Sequence, residues 1–130
     1  MTAKTPMIIP YLFYDDVDAA VEFLVRAFGF TEQMRVGTPR DGVHAQVRLG
    51  DQLVMMGQGT TDKSHATPQM LGRVTCSVFV YLDNIDAHYA QAEAEGAQVV
   101  EPLADLPYGR SYTVRDPQGH TWFFTSPKAA

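Results

Sequence analysis

The chain has 130 residues, 45% of them hydrophobic, and a formal net charge of −5, which suffices for one continuous core and leaves no room for a second independent domain. Its ten Lys and Arg are scattered and form no basic stripe, so a nucleic-acid partner is excluded, while acidity of this size serves solubility and mildly favours a cationic ligand over an anionic one. No apolar run reaches membrane-spanning length and Met1 to Pro6 holds no apolar signal region, so the expectation is no membrane partner and a cytoplasmic location.

Ile8 to Tyr14 is β-branched or aromatic at most positions and breaks into Asp15-Asp16, which predicts a strand followed by a helix start with Asp16 as N-cap. Val17, Ala20, Val21, Leu24 and Phe28 then recur at helical spacing, and Gly29 stops the helix. Thr31 to Val36 reads as a strand, Gly37 to Gly42 as a turn cluster, and Val43 to Leu49 as a strand with Ala45, Val47 and Leu49 on one side and His44, Gln46 and Arg48 on the other. The Gly50-Asp51 turn pairs that strand with Gln52 to Met56 as a hairpin. Gly57 to Arg73 has no period and reads as a connector.

The second half repeats this plan. Val74 to Leu82 is predicted as a strand, Asp83-Asn84 as the cap of a helix from Ile85 to Glu95, and Gly96 as its end. Val99-Val100 starts another strand, a Pro-containing loop follows, and Ser111 to Arg115 is a strand joined by the turn Asp116-Pro117-Gln118-Gly119 to His120 to Thr125. Tyr14-Asp15-Asp16-Val17-Asp18-Ala19 aligns with Leu82-Asp83-Asn84-Ile85-Asp86-Ala87, and such self-similarity is a stronger fold signal than any single strand. In the strand ending at Leu82, alternation separates Val78, Val80 and Leu82 from Ser77, Phe79 and Tyr81. The single Cys76 cannot form an intramolecular disulfide and is expected as a small buried hydrophobe.

The segments PYLFYDDVDAAVEFLVRAFGF, HAQVRLGDQLVMM and PYGRSYTVRDPQGHTWFF, with the repeat, resemble the vicinal oxygen chelate superfamily of glyoxalase I, extradiol dioxygenases and bleomycin-resistance proteins. The resemblance implies an α+β fold in which two βαβββ modules form a half-barrel, with helices on the convex side and a ligand pocket on the concave side. Residues 1–130 then read as a single domain, with module 1 at about 6–58 and module 2 at about 73–127. The resemblance also implies a homodimer with pockets shared across a two-fold interface.

Metalloenzymes of that superfamily take a His, Gln or Glu from the first strand of each module and a Glu from the last. The corresponding places here are Ile9, Met55, Ser77 and Phe123, none a usable hard-metal ligand, and a shift of one residue in register rescues nothing. No metal or other cofactor is therefore expected. Among the four histidines, His44 either points into the cavity beside Gln46 or is a partly exposed strand residue. His120 reads as a strand-start surface residue, His65 as part of the connector, and His88 as solvated or interfacial. None of Ser64, Ser77, Ser111 and Ser126 has the setting of an activated nucleophile.

What remains on the expected pocket face is Tyr11, Phe13, Met55, Phe79, Tyr81, Tyr112 and Phe123, with Ser77, His44, Gln46 and Arg110 as polar points. Such a lining suits a planar or aromatic small molecule, although each ring can equally fill the barrel or a dimer core. Arg110 either contacts an anionic group of a ligand or is an ordinary loop cation. The leading expectation is a small-molecule binding protein that sequesters its ligand without chemistry. The alternatives are a metal-dependent isomerase, lyase or dioxygenase with non-standard ligands such as His44, and a metal-free enzyme using His44 or Tyr81 as acid or base.

Overall fold

A computed structural model describes residues 5–60 and 65–128 of the chain; Ser64, the start of the N-terminal segment and part of the connector lie outside the described residues. The first strand, β1 (Tyr11–Tyr14), runs into α1 (Val17–Phe28). Asp16 caps α1 in an extended conformation, its carboxylate accepting the Ala19 N–H at 3.0 Å, which satisfies one of the donors that a helix start leaves free. Gly29, at φ +80°, ends the helix in a left-handed turn that a side chain rarely adopts. Strands β2 (Thr31–Thr38), β3 (Gly42–Leu49) and β4 (Gln52–Gln58) follow as an antiparallel meander whose last member lies parallel to β1, giving the order β1-β4-β3-β2.

A short helix α2 (Pro68–Leu71) leads to β5 (Val78–Tyr81), α3 (Ile85–Ala94), β6 (Gln98–Leu106), β7 (Gly109–Arg115) and β8 (Thr121–Pro127), with the order β5-β8-β7-β6. The two sheets thus share one topology, including a parallel pairing of first and last strands. Val17 and Ile85, matched by the internal repeat, open their respective helices and are both buried. The architecture is α+β, with two open four-stranded sheets.

Several local expectations change. Pro102 does not end a strand: β6 continues through it, because β6 is an edge strand whose register shifts on both sides of Glu101. The connector contains α2, capped by the Thr67 hydroxyl, which accepts the Met70 N–H at 3.2 Å, and started by Pro68. Asn84 takes a left-handed conformation and makes no side-chain cap, so only Asp16 of the two matched caps works as such. Strand β5 pairs with β8 only from Val78 onward, which leaves Cys76 ahead of the sheet and exposed, not buried.

The two modules meet through aromatic rings. Phe28 from α1 packs edge-on against Phe124 and Trp122 of β8, at centroid distances of 4.8 and 5.5 Å, and Trp122 and Phe124 lie parallel to each other. A ring at this position serves both modules, so its truncation to Ala costs about 3–5 kcal/mol. Polar groups fix the same junction. The buried Asp116 carboxylate accepts from the Tyr14 hydroxyl at 2.6 Å, the Trp122 indole N–H at 3.1 Å, and the backbone N–H groups of Gln118 and His120. Burial, reinforced by the neighbouring Asp116 charge, pushes the Tyr14 hydroxyl pKa well above its ordinary value.

Histidines complete this junction, contrary to their expected surface roles. His120 is buried, and its Nε2 donates to the Phe13 carbonyl at 2.7 Å, tying the start of β8 to β1. His88 Nε2 donates to the Phe28 carbonyl at 2.9 Å, so its Nδ1 accepts the Tyr112 hydroxyl at 2.6 Å. Burial lowers the His88 pKa and is only partly opposed by the bond to Phe28. His88 is therefore not solvated; it holds α3 to the end of α1.

Candidate functional site

Strand alternation divides each sheet into a helix-facing side and an opposite, concave side. In the first sheet the register places Tyr11 opposite Met55 and Met55 opposite Gln46, with Phe13 and His44 both opposite Gly57. Tyr11, Phe13, His44, Gln46 and Met55 thus share the face away from the core, while Leu12, Tyr14, Ala45, Val47 and Met56 fill the core. In the second sheet Phe79 lies opposite Phe123 and Tyr81 opposite Thr125, again away from the core-facing Trp122 and Phe124.

Three expected members of the pocket fall elsewhere: Tyr112, Arg110 and Ser77. Tyr112 pairs with Phe124 across β7 and β8 and so points toward the helices, where it is buried against Tyr89 and bonded to His88. Its neighbours Ser111 and Thr113 occupy the concave phase of that strand. The assignment fails because a slip of one residue exchanges the two faces of a strand. Arg110 shares the phase of Tyr112, and its guanidinium is bound by Asp86 of α3 at 2.8 Å and Asp105 at 3.2 Å. Those bonds raise the Arg110 pKa, and Asp86 in turn is held below the usual carboxylate range by the hydrogen bond from Arg110. Ser77 lies exposed just before β5 and belongs to no strand.

The first concave face carries an open cavity of about 520 Å³ lined by Tyr11, Phe13, His44, Gly57, Thr60 and His65, among others, a size that accommodates a drug-sized molecule. Phe13 stacks on His65 at 4.3 Å, and Tyr11 lies 5.1 Å from Phe13 and 5.7 Å from His44. Gly57 permits this arrangement: a Cβ there would meet the Tyr11 hydroxyl oxygen at 2.8 Å. The Tyr11 hydroxyl and His44 Nδ1 are 3.0 Å apart, and His44 Nε2 is 3.1 Å from the Gln46 amide nitrogen. Gln46 is bonded in turn to Gln33, and Gln33 to Arg48.

On the second concave face Phe79 contacts Tyr81, Tyr108 and Phe123 at 5.0 to 6.5 Å between ring centroids. Phe79, Tyr81 and Tyr108 are 47%, 61% and 52% exposed, a concentration of open aromatic surface that isolated solvent-facing residues do not produce. A second cavity of about 520 Å³ lies between Phe79 and Tyr81 on one side and the β3–β4 turn with Phe30 on the other. A third, of about 480 Å³, lies on the helix side beside α1. Its Asp15 and Asp16 carboxylates are committed to Thr67 and to the helix cap, and its Asp116 to the inter-module junction.

The family chemistry that uses a divalent ion requires hard donors at the first and last strands of each module. Met55 and Phe123 stand on the concave faces with a thioether and a bare ring, and Ile9 and Ser77 lie outside β1 and β5. Among the described residues no three His, Cys, Asp or Glu side chains converge on a point. The donor set does not fit such an ion.

Sequence reasoning missed Gly57, Thr60, His65 and Gln33. Thr60 and His65 belong to the aperiodic connector and are joined there by an isolated bridge. Gln33 sits at a bulge between Glu32 and Met34, where alternation ceases to predict facing. Arg48 had a usable signal, since it shares the phase of His44 and Gln46 along β3.

Two open four-stranded sheets of the same topology, each with a helix after its first strand, define an α+β class built from two βαβββ modules. The family model described as Glyoxalase/Bleomycin resistance protein/Dioxygenase superfamily matches residues 7–124. The chain belongs to that superfamily. It is 34% identical over 128 residues to an uncharacterised protein of Mycobacterium bovis, covering 94% of this chain and 84% of the relative. The structure of TioX from Micromonospora sp. ML1 is similar at 35% identity and a TM-score of 0.73, covering 95% of this chain and 99% of that one. A bleomycin-binding protein from bleomycin-producing Streptomyces verticillus, complexed with copper(II)-bleomycin, is similar at 26% identity and a TM-score of 0.67, covering 98% of this chain and 100% of that one.

Proposed function

We propose that this protein binds and sequesters a planar or aromatic small molecule on its concave faces, without a metal ion and without transforming it. The observation that carries this reading is the content of the faces. Tyr11, Phe13, Phe79, Tyr81 and Phe123 supply ring surface, His44 and Gln46 supply a few oriented polar groups, and the places that would grip an ion offer none of its ligands. Rings of this kind hold a flat ligand by stacking, each favourable pair adding about 0.5–1.5 kcal/mol beyond the area it buries. The likeness to the bleomycin-binding protein supports binding in preference to turnover.

The working unit on this reading is a homodimer in the cytoplasm, with the whole chain acting as one domain. The two sheets share no strand pairing, and no aromatic contact joins their concave faces among the described residues. A second copy set over these faces would close each open cavity and cover Phe79, Tyr81 and Tyr108. Light scattering of the purified chain tests this; a monomer at all accessible concentrations counts against it.

The function is tested by screening planar aromatic compounds against purified protein and recovering them afterwards. The expected result is saturable binding with the ligand recovered chemically intact. Stoichiometric zinc, nickel or iron, removable by chelator together with an activity, would instead establish a metal-dependent enzyme. A metal-independent product would establish catalysis by groups such as His44 or Tyr81.

A further inference from the structure

The concave face of the first sheet carries a row of five polar side chains whose hydrogen bonds run in only one direction. Arg48 fixes the direction because a guanidinium has donors and no acceptor. Its Nε–H donates to Gln33 Oε1 at 2.6 Å. The other end of the Gln33 amide is therefore its NH2 group, which donates to Gln46 Oε1 at 3.2 Å. The Gln46 NH2 then faces His44 Nε2 at 3.1 Å, and that nitrogen must accept. A neutral imidazole that accepts at Nε2 carries its proton on Nδ1. Nδ1–H consequently donates to the Tyr11 hydroxyl oxygen, 3.0 Å away.

The Tyr11 hydroxyl proton is left with no inward partner. Tyr11 is 45% exposed and lines the cavity with Phe13 and Gly57, so the proton is presented to whatever occupies that space. Arg48 makes no ion pair among the described residues, and its positive charge heads a chain in which each bond polarises the next.

We propose that Tyr11 is a dedicated hydrogen-bond donor, oriented by the relay Arg48–Gln33–Gln46–His44, and that the ligand of this face is a planar molecule offering it a carbonyl or comparable oxygen acceptor. The proposal rests on the concave face being the binding site and adds the polarity of what binds there. An ammonium ligand, which brings only donors, would leave the Tyr11 proton unpaired, and the burial of such a donor is penalised. The local polarity thus selects against the cationic ligand that the net charge of −5 would mildly favour.

Two readouts on the intact protein test this. Side-chain ¹H–¹⁵N spectra at mildly alkaline pH report the His44 tautomer without any ligand; the expected form has the proton on Nδ1. Gln46→Glu places an acceptor at His44 Nε2 and is expected to move the proton there, reversing the last two bonds of the relay. Titration with the flat pair 9-fluorenone and fluorene, which differ by a carbonyl oxygen, reads the ligand side. Fluorenone is expected to bind several-fold to about tenfold more tightly to the natural chain, the worth of one hydrogen bond. Tyr11→Phe and Gln46→Glu should each bring the two compounds within about twofold of one another, since that bond is then absent. A proton on Nε2 in the natural chain overturns the relay even where both compounds bind, which leaves the binding reading intact. Equal affinity for the two compounds overturns the acceptor preference. Failure of both to shift first-sheet resonances refutes the acceptor class and counts against binding at this face, whatever the tautomer.

Discussion

Replacing Asp116 with Asn isolates the polar junction between the modules with almost no change in shape. The carboxylate accepts four hydrogen bonds while only 3% exposed. With the amide oxygen kept toward the two backbone N–H groups, its NH2 faces the Tyr14 hydroxyl and the Trp122 indole. The hydroxyl can turn and accept, but the indole N–H cannot, so its bond is lost with a buried donor left unpaired, and the bonds that persist lose their charge assistance. Bonds to a charged group contribute about 1.5–3 kcal/mol and an unpaired buried donor costs about 1–3 kcal/mol, so the expected destabilisation is about 2–4 kcal/mol after overlap of the two effects. Domains of this size are stable by only about 5–15 kcal/mol. In a urea titration followed by the fluorescence of the single tryptophan, the midpoint should fall by about 1–2 M at an unchanged slope. An unfolding free energy within about 0.5 kcal/mol of the natural chain would refute the role given to this carboxylate.

Other expectations follow from the same contacts. Phe28→Ala removes the ring shared by α1 and β8 and should cost about 3–5 kcal/mol in the same titration. Because burial lowers the His88 pKa from 6.5, the unfolded chain gains a proton that the folded chain refuses as pH falls below that value. Stability should therefore decline from pH 6.5 down through the lowered folded-state pKa, and His88→Gln should flatten that slope. Asp16→Ala should cost about 1 kcal/mol through the lost cap of α1, while Asn84→Gly, which removes no cap bond and suits the left-handed backbone there, should not show that loss. Gly57→Ala should displace the Tyr11 ring, since the new Cβ would meet its hydroxyl oxygen at 2.8 Å, and should weaken fluorenone binding several-fold with a normal circular-dichroism spectrum.

The architecture was legible because it is written in local patterns that recur. The acidic cap before Val17, the apolar period ending at Phe28, and the alternation along β3 each specify an element, and the match of Tyr14–Ala19 to Leu82–Ala87 duplicates the plan. The concave members of β1, β3 and β4 were legible for the same reason. Facing in β7 was not, since Ser111 to Arg115 alternates between residues that all suit either side, and Tyr112 takes the core phase only because Phe124 pairs with it. His88 and His120 were misplaced because their partners, the Phe28 and Phe13 carbonyls, are 60 and 107 residues away along the chain. The relay on the first sheet combines a visible half, His44 and Gln46, with a hidden half created by the bulge at Gln33.

The property proposed for this protein is recognition of a flat ligand by its concave rings with no ion involved. Chelator-treated protein titrated with 9-fluorenone, with ¹H–¹³C spectra of the aromatic side chains recorded throughout, tests it most directly. Saturable shifts of Tyr11, Phe13 and the neighbouring His44 in the absence of any divalent ion, with the compound recovered unchanged, are predicted. Binding that appears only after a divalent ion is restored, or shifts confined to the helix side of the sheets, would contradict the account.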